Sequence, residues 1–170
     1  MSFLSRNEFI QLINSDSPLV ENMIDPEVQI QPNGIELTVD EILSPLEGGS
    51  IDFTNEERKV PECYPLHFNE DGWVVLSPGV YKILFNETIR MPNDLLAFAE
   101  PRSSLIRSGV LMGTAIWDAG YVGRSECSLV VKNPYGFRVK KNARIVQLMF
   151  TRLETEVKDG YSGRYMHENM

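Results

Sequence analysis

Hydrophobic positions along the chain follow two periods. Near the start they recur with helical spacing, and Phe9, Ile10, Leu12 and Ile13 supply one apolar face. Ser5 precedes this run as an N-cap, and Glu8 stands three residues later, as in a capping box. Residues 14–18, with Asp16 and Ser17 before Pro18, predict its end. Beyond that point the period shortens to two. Residues 28–30 alternate briefly, and 34–39 place Ile35, Leu37 and Val39 on one strand face. Further strands are predicted at 73–76, 80–85, 95–99, 110–117, 127–131 and 144–150. Turn residues separate them, among them Pro32-Asn33-Gly34, Gly48-Gly49, Pro78-Gly79 and Pro92-Asn93. Many short strands with frequent turns predict an all-β sandwich or barrel.

Two stretches break that rhythm. Residues 49–68 carry charges with weak periodicity, which predicts an excursion with at most one short strand. Residues 103–108 predict a second short helix, closed by Gly109 at the C′ position. The last residues, 158–170, are polar and tyrosine-rich and predict a mobile tail on a single 170-residue domain.

Composition narrows the partners. Lys plus Arg is 16 and Asp plus Glu is 24, a formal charge of −8. Duplex DNA and anionic membranes call for basic surface, so neither is an expected partner. A small anion is compatible, because a few arginines in one pocket suffice. The two cysteines, Cys63 and Cys127, exclude a disulfide scaffold and a zinc ribbon. No apolar run approaches 18 residues, and Arg6 and Glu8 interrupt the first one, so the expected location is the cytoplasm. The chain has no GxxxxGK[ST], no GxGxxG after a strand and no HExxH. With only His67 and His167, a histidine-centred triad is not expected, and the HxE and PCxxC pair of zinc deaminases is missing.

Three segments carry candidate chemistry. Residues 101–109 (PRSSLIRSG) set two arginines and two serines at the opening of a short helix. They suit either a capped surface helix with solvated arginines or a phosphate cradle of helix N–H groups, hydroxyls and guanidinium forks. Residues 115–123 (AIWDAGYVG) predict a hairpin: an apolar strand, a turn with two glycines, and a strand from Arg124 onward. Asp118 at its shoulder suits either a turn-stabilising carboxylate or one that orients a water. In residues 144–148 (RIVQL), Gln147 interrupts an otherwise apolar strand.

Taken in order, these segments resemble the superfamily shared by deoxyuridine triphosphate diphosphatase (dUTPase) and metal-independent dCTP deaminase. The resemblance runs over roughly residues 28–165: QPNGIEL at 31–37, then 102–109, 114–123, 144–148 and Tyr161-Ser162-Gly163. It implies a distorted jelly-roll β-barrel assembled as a homotrimer, with sites at subunit interfaces and a pyrimidine deoxynucleoside triphosphate as ligand. By that likeness Arg102, Ser103, Ser104 and Arg107 bind the phosphates, joined by Gln147 from a neighbouring subunit. The 118–123 hairpin holds the pyrimidine through its backbone. Tyr121 packs on the sugar and disfavours a 2′-hydroxyl, and Tyr161 comes from the closing tail.

One position separates the two activities. The deaminases carry a proton-moving glutamate five residues after the second hairpin glycine, and here that position is Ser128. Glu126 lies two residues earlier on the same strand face, about 6–7 Å away, and is expected to be an edge or interface charge. The diphosphatase reading follows. Asp118 activates a water for attack at the α-phosphorus, and Mg²⁺ on the triphosphate neutralises charge. Glu36 replaces the aspartate of the first motif and is expected in an outer-sphere metal role. The alternatives are a dCTP deaminase, with or without diphosphatase activity, and a non-catalytic nucleotide-binding trimer, which Glu36 and the short tail would suit.

Overall fold

The protein is described over residues 2–170 in a computed structural model. α1 (Arg6–Ile13) forms where the capping pattern sets it: the Ser5 backbone N–H and hydroxyl both donate to Glu8 Oε2, at 2.8 and 2.9 Å. Its Phe9 is fully buried, edge-on to Phe150 at 5.4 Å between centroids. The helix sits between β1 (Ser2–Phe3) and β2 (Val20–Glu21).

The strand expected at 28–30 is mostly a one-turn helix, α2 (Pro26–Gln29), followed by β3 (Ile30–Gln31). Asp25 decides this. Its side chain accepts from the Glu27 and Val28 N–H groups, and Pro26 fills the first helical position.

Next comes β4 (Gly34–Pro45), at the centre of the main sheet. Ile35, Leu37 and Val39 face the core and are fully buried. Glu36 and Thr38 on the opposite face are also buried, so the first half of this strand has no solvent face. β4 pairs antiparallel with β14 (Arg144–Arg152), Leu37 opposite Val146 and Glu36 opposite Gln147. On its other edge it pairs with β7 (Gly79–Phe85), and at its far end, on the edge opposite β7, with β5 (Cys63–Pro65), the one strand of the 49–68 excursion. β12 (Glu126–Val131) continues beyond β7, and β10 (Val110–Gly113) beyond β12. β9 (Leu95–Pro101) lies along the other side of β14.

Two register shifts, one in β14 between Arg144 and Val146 and one in β4 between Val39 and Glu41, let the sheet curl. Small sheets complete the barrel: β8 (Thr88–Arg90) between β2 and β11 (Val122–Gly123), and β6 (Trp73–Leu76) with β13 (Phe137–Lys140). The architecture is the all-β, jelly-roll-like barrel expected.

α3 (Ser103–Arg107) matches the second predicted helix, and Gly109 follows it at φ +70°. The 110–117 strand is shorter than predicted and ends at Gly113. The tail, expected to be loose, lies against residues 119–124. Tyr161 N–H donates to Ala119 O at 2.8 Å and His167 N–H to Val122 O at 2.7 Å. Both cysteines are free thiols, and among the described residues no helix is long and apolar enough to cross a membrane.

Candidate active site

The end of β9 and the start of α3 shape a first cavity of about 420 Å³. It is lined by Glu36, Glu100, Pro101, Arg102, Ser103, Ser104, Gln147 and Met149. Arg102 N–H donates to Ile145 O at 3.0 Å, which holds the turn into α3 against β14. Ser103 and Ser104 follow in the first helical turn with exposed side chains. Gln147 sits opposite both Glu36 and Glu100. A Cβ on Gly34 would come within 3.1 Å of the Gln147 side chain and 2.5 Å of Leu148 O, so glycine gives Gln147 its room.

Glu36 organises this cavity. It is 5% exposed, and its two oxygens bind Arg102 Nε at 2.6 Å and Arg144 NH1 at 2.7 Å. Arg144 NH1 also donates to Val28 O at 3.0 Å. Beneath Glu36 lies a carboxylate that sequence reasoning missed. Glu87 is fully buried and accepts from Thr38 N–H (2.9 Å), Thr38 Oγ1 (2.5 Å) and Gln29 Nε2 (2.7 Å). The same Gln29 amide donates to Glu36 O at 2.9 Å. Burial raises the Glu87 pKa, only partly opposed by these hydrogen bonds.

At the other end of β9 a second constellation begins. Ala97 and Trp117 exchange backbone hydrogen bonds at 2.9 and 3.0 Å, and the Trp117 indole N–H donates to Ser125 Oγ at 2.9 Å. This anchors Asp118 at the rim of a cavity of about 160 Å³, lined also by Ala115, Tyr121, Ser125, Glu126, Tyr161, Tyr165 and Glu168. Asp118 is exposed, and among the described residues its carboxylate has no hydrogen-bond or ion-pair partner. A larger, mostly apolar cavity of about 460 Å³ adjoins, sharing Ala115, Glu126, Tyr165 and Glu168. Together they reach the size range of a nucleoside site.

The expected hairpin is wider than predicted. β10 and β12 pair antiparallel up to Gly113 opposite Ser128, and the connection 114–125 pairs elsewhere, Trp117 with Ala97 and β11 with β8. Gly120, at φ +83°, provides a close approach, since a Cβ there would meet Gly160 Cα at 2.7 Å. Tyr121 is 5% exposed, donates its hydroxyl to Glu168 Oε1 at 2.7 Å, and meets the Tyr161 ring edge-on at 5.7 Å.

The structure thus gathers Arg102, Ser103, Ser104, Gln147 and Glu36 at one cavity, and Asp118, Tyr121 and Tyr161 at another. The two cavities share no lining residue. Arg102 lies five residues beyond Ala97, about 16 Å of extended chain. Gln147 was expected to serve a neighbour's arginine–serine segment, but it lines the cavity of its own. Arg107 is exposed on α3 and lines neither. Ser128 donates to Gly113 O at 3.3 Å, and Glu126 is ion-paired with Lys82 at 2.9 Å.

A barrel of this topology carrying these two cavities belongs to a defined class. Residues 3–153 match the dCTP deaminase-like family, and the chain is a member of it. It is 57% identical over 169 residues to a Methanosarcina mazei protein named "Probable deoxyuridine 5'-triphosphate nucleotidohydrolase", covering 99% of both chains. A protein of the same name from Archaeoglobus fulgidus is 45% identical over 170 residues, 100% of this chain and 99% of the other. Among solved structures, the 2'-deoxycytidine 5'-triphosphate deaminase of Agrobacterium tumefaciens superposes with a TM-score of 0.67 at 20% identity, over 87% of this chain. The chain spans 47% of that deaminase, and the likeness establishes the shared fold.

Proposed function

We propose that this protein hydrolyses dUTP to dUMP and pyrophosphate, as a cytoplasmic enzyme of pyrimidine deoxynucleotide metabolism. One observation carries the choice over deamination. The unpartnered carboxylate at the nucleoside cavity is Asp118, whereas the deaminase glutamate position is Ser128, a hydroxyl directed to a backbone carbonyl. Glu126, the nearest alternative carboxylate on that strand face, is already engaged in an ion pair with the Lys82 ammonium. The names of the archaeal relatives support the same reading.

In this reading the base and sugar enter between Asp118, Tyr121 and Tyr161. Asp118 orients a water and takes its proton as the oxygen attacks the α-phosphorus in line. Arg102, Ser103, Ser104 and Gln147 bind the phosphates and stabilise the charge that develops there. Because the two cavities are separate within one chain, the complete site forms where one copy's phosphate cavity faces another's nucleoside cavity, in a homotrimer. Arg107, exposed on the same helix as Ser103 and Ser104, joins them at the triphosphate once a neighbouring copy covers it.

Magnesium does not fit as a resident ion. Among the described residues no group of three or more His, Cys, Asp or Glu is placed to hold a metal. Both oxygens of Glu36, expected in an outer-sphere role, are taken by guanidiniums. Mg²⁺ therefore belongs to the substrate, as the magnesium–triphosphate complex, and Glu36 orders the arginines. The test is a product assay with Mg²⁺ and either dUTP or dCTP. Release of dUMP and pyrophosphate from dUTP, with dCTP untouched, is expected. A uracil nucleotide formed from dCTP would overturn the reading and direct attention to Glu126.

A further inference from the structure

Glu168 lies beyond the stretch that resembles the superfamily, yet it reaches the nucleoside cavity. Its Oε1 accepts the Tyr121 hydroxyl hydrogen at 2.7 Å, and its backbone carbonyl accepts from Arg124 N–H at 3.0 Å. His167 N–H donates to Val122 O, and the Asn169 amide donates to Arg124 O at 2.9 Å. Residues 167–169 are thus stitched to 122–124, directly after Tyr121. His167 and Asn169 adopt φ +60° and +55°, a left-handed backbone uncommon for residues other than glycine. The flanking hydrogen bonds hold that conformation and aim the Glu168 side chain inward.

Tyr121 is fixed at both ends. Tyr161 meets its ring, and its hydroxyl has a carboxylate acceptor. A Cβ on Gly123 would come within 2.6 Å of that hydroxyl, so the glycine keeps the contact open. A tyrosine side chain moves about two torsions, and the hydroxyl bond removes most of that freedom.

We propose that Glu168 is a positioning residue for sugar selection: by holding the Tyr121 hydroxyl it fixes the ring that bounds the sugar, and so sets the preference for 2′-deoxyribose over ribose. The proposal rests on the reading that this cavity takes the nucleoside of dUTP. A held ring cannot yield to the extra 2′-hydroxyl, whereas a released one can.

The test compares kcat/KM for dUTP and UTP in the wild type, E168A, Y121F and the double variant. The dUMP-to-UMP affinity ratio is measured alongside, so that selection is read even without turnover. E168A is expected to lower the discrimination about tenfold, the effect of one hydrogen bond to a charged group. Y121F, which removes only the hydroxyl, should match it, and the double variant should be no worse than either. E168Q, whose amide oxygen still accepts, should recover most of the lost discrimination. Unchanged ratios in E168A and Y121F, with both substrates slowed equally, would overturn the proposal, as would additive losses. A wild type that binds dUMP selectively but turns over no dUTP would instead refute the functional reading and leave the Glu168 ratios readable by affinity.

Discussion

The cavity proposed for the phosphates rests on β4, β9 and β14, whose ladders fix the backbone beneath Glu36, Pro101 and Gln147. The cavity proposed for the nucleoside is lined largely by residues between strands, in 115–125 and 161–168, joined to each other by individual hydrogen bonds. One is charged, braced from below by Glu87 and Gln29, and set before any ligand arrives. The other is aromatic and depends on a terminal segment staying docked. Local opening draws on segments with few ladder bonds, so on the proposed reading exchange of substrate and product would fall to the second region. Preorganised charge, which catalysis of phosphate chemistry requires, falls to the first.

Asp118→Asn should produce the largest effect and the least structural disturbance. Its carboxylate has no partner to lose, so the melting temperature should stay constant and nucleotide binding should remain. Hydrolysis should fall by roughly 10²–10⁴, the contribution of a general base. Single-turnover dUMP release measures this, and loss of binding would show that the carboxylate is structural.

Glu87→Ala strikes the braced region. Thr38 N–H and one of the two hydrogens of the Gln29 side-chain amide would be left unsatisfied in the interior, at a cost of about 2–3 kcal/mol by urea unfolding. Affinity for pyrophosphate should weaken with it, because Gln29 also holds the backbone of Glu36. An unchanged unfolding midpoint would mean that water replaces the carboxylate.

The smallest effect concerns the support of the tail. Burial alone would raise the Asp40 carboxyl, but hydrogen bonds from Lys141 and Arg124 bring it below its ordinary 3.8. Arg124 in turn bonds Phe85 O and Asn169 O. A carboxylate with a lowered folded-state pKa stabilises the fold fully above its unfolded value and loses that contribution as pH falls through the folded one. Asp40→Asn should therefore flatten the decline of melting temperature below about pH 4. A decline as steep as in the wild type would assign acid sensitivity to other groups.

The two regions also differed in how far the sequence disclosed them. Arg102, Ser103 and Ser104 are neighbours in the chain at the opening of one short helix, and the inward alternation of Ile35, Leu37 and Val39 survives in the fold, so the side proposed for the phosphates was readable. Glu87 was not, because its partner Thr38 lies 49 residues away and no local pattern marks it. Glu168 reaches Tyr121 across 47 residues. Residues 114–117 extended the run past the end of the ladder, yet Ala115 and Ile116 are exposed and only Trp117 is buried, bridged to Ala97, so hydrophobicity there marked neither the ladder nor continuous burial. Three alternating residues at 28–30 could not separate a strand from a helical turn. Asp25-Pro26, a cap and a first-turn proline, held the deciding information.

The joining of the two half-sites across copies is best tested by complementation. Asp118→Asn and Arg102→Ala variants, each inactive alone, would be mixed in equal amounts, unfolded, refolded together and assayed for dUMP release. Random assembly places an intact Arg102 opposite an intact Asp118 at about a quarter of the interfaces, so about a quarter of wild-type activity should return. No recovery from well-folded mixed assemblies would show that both cavities of a single chain serve the same substrate, and would contradict the shared site.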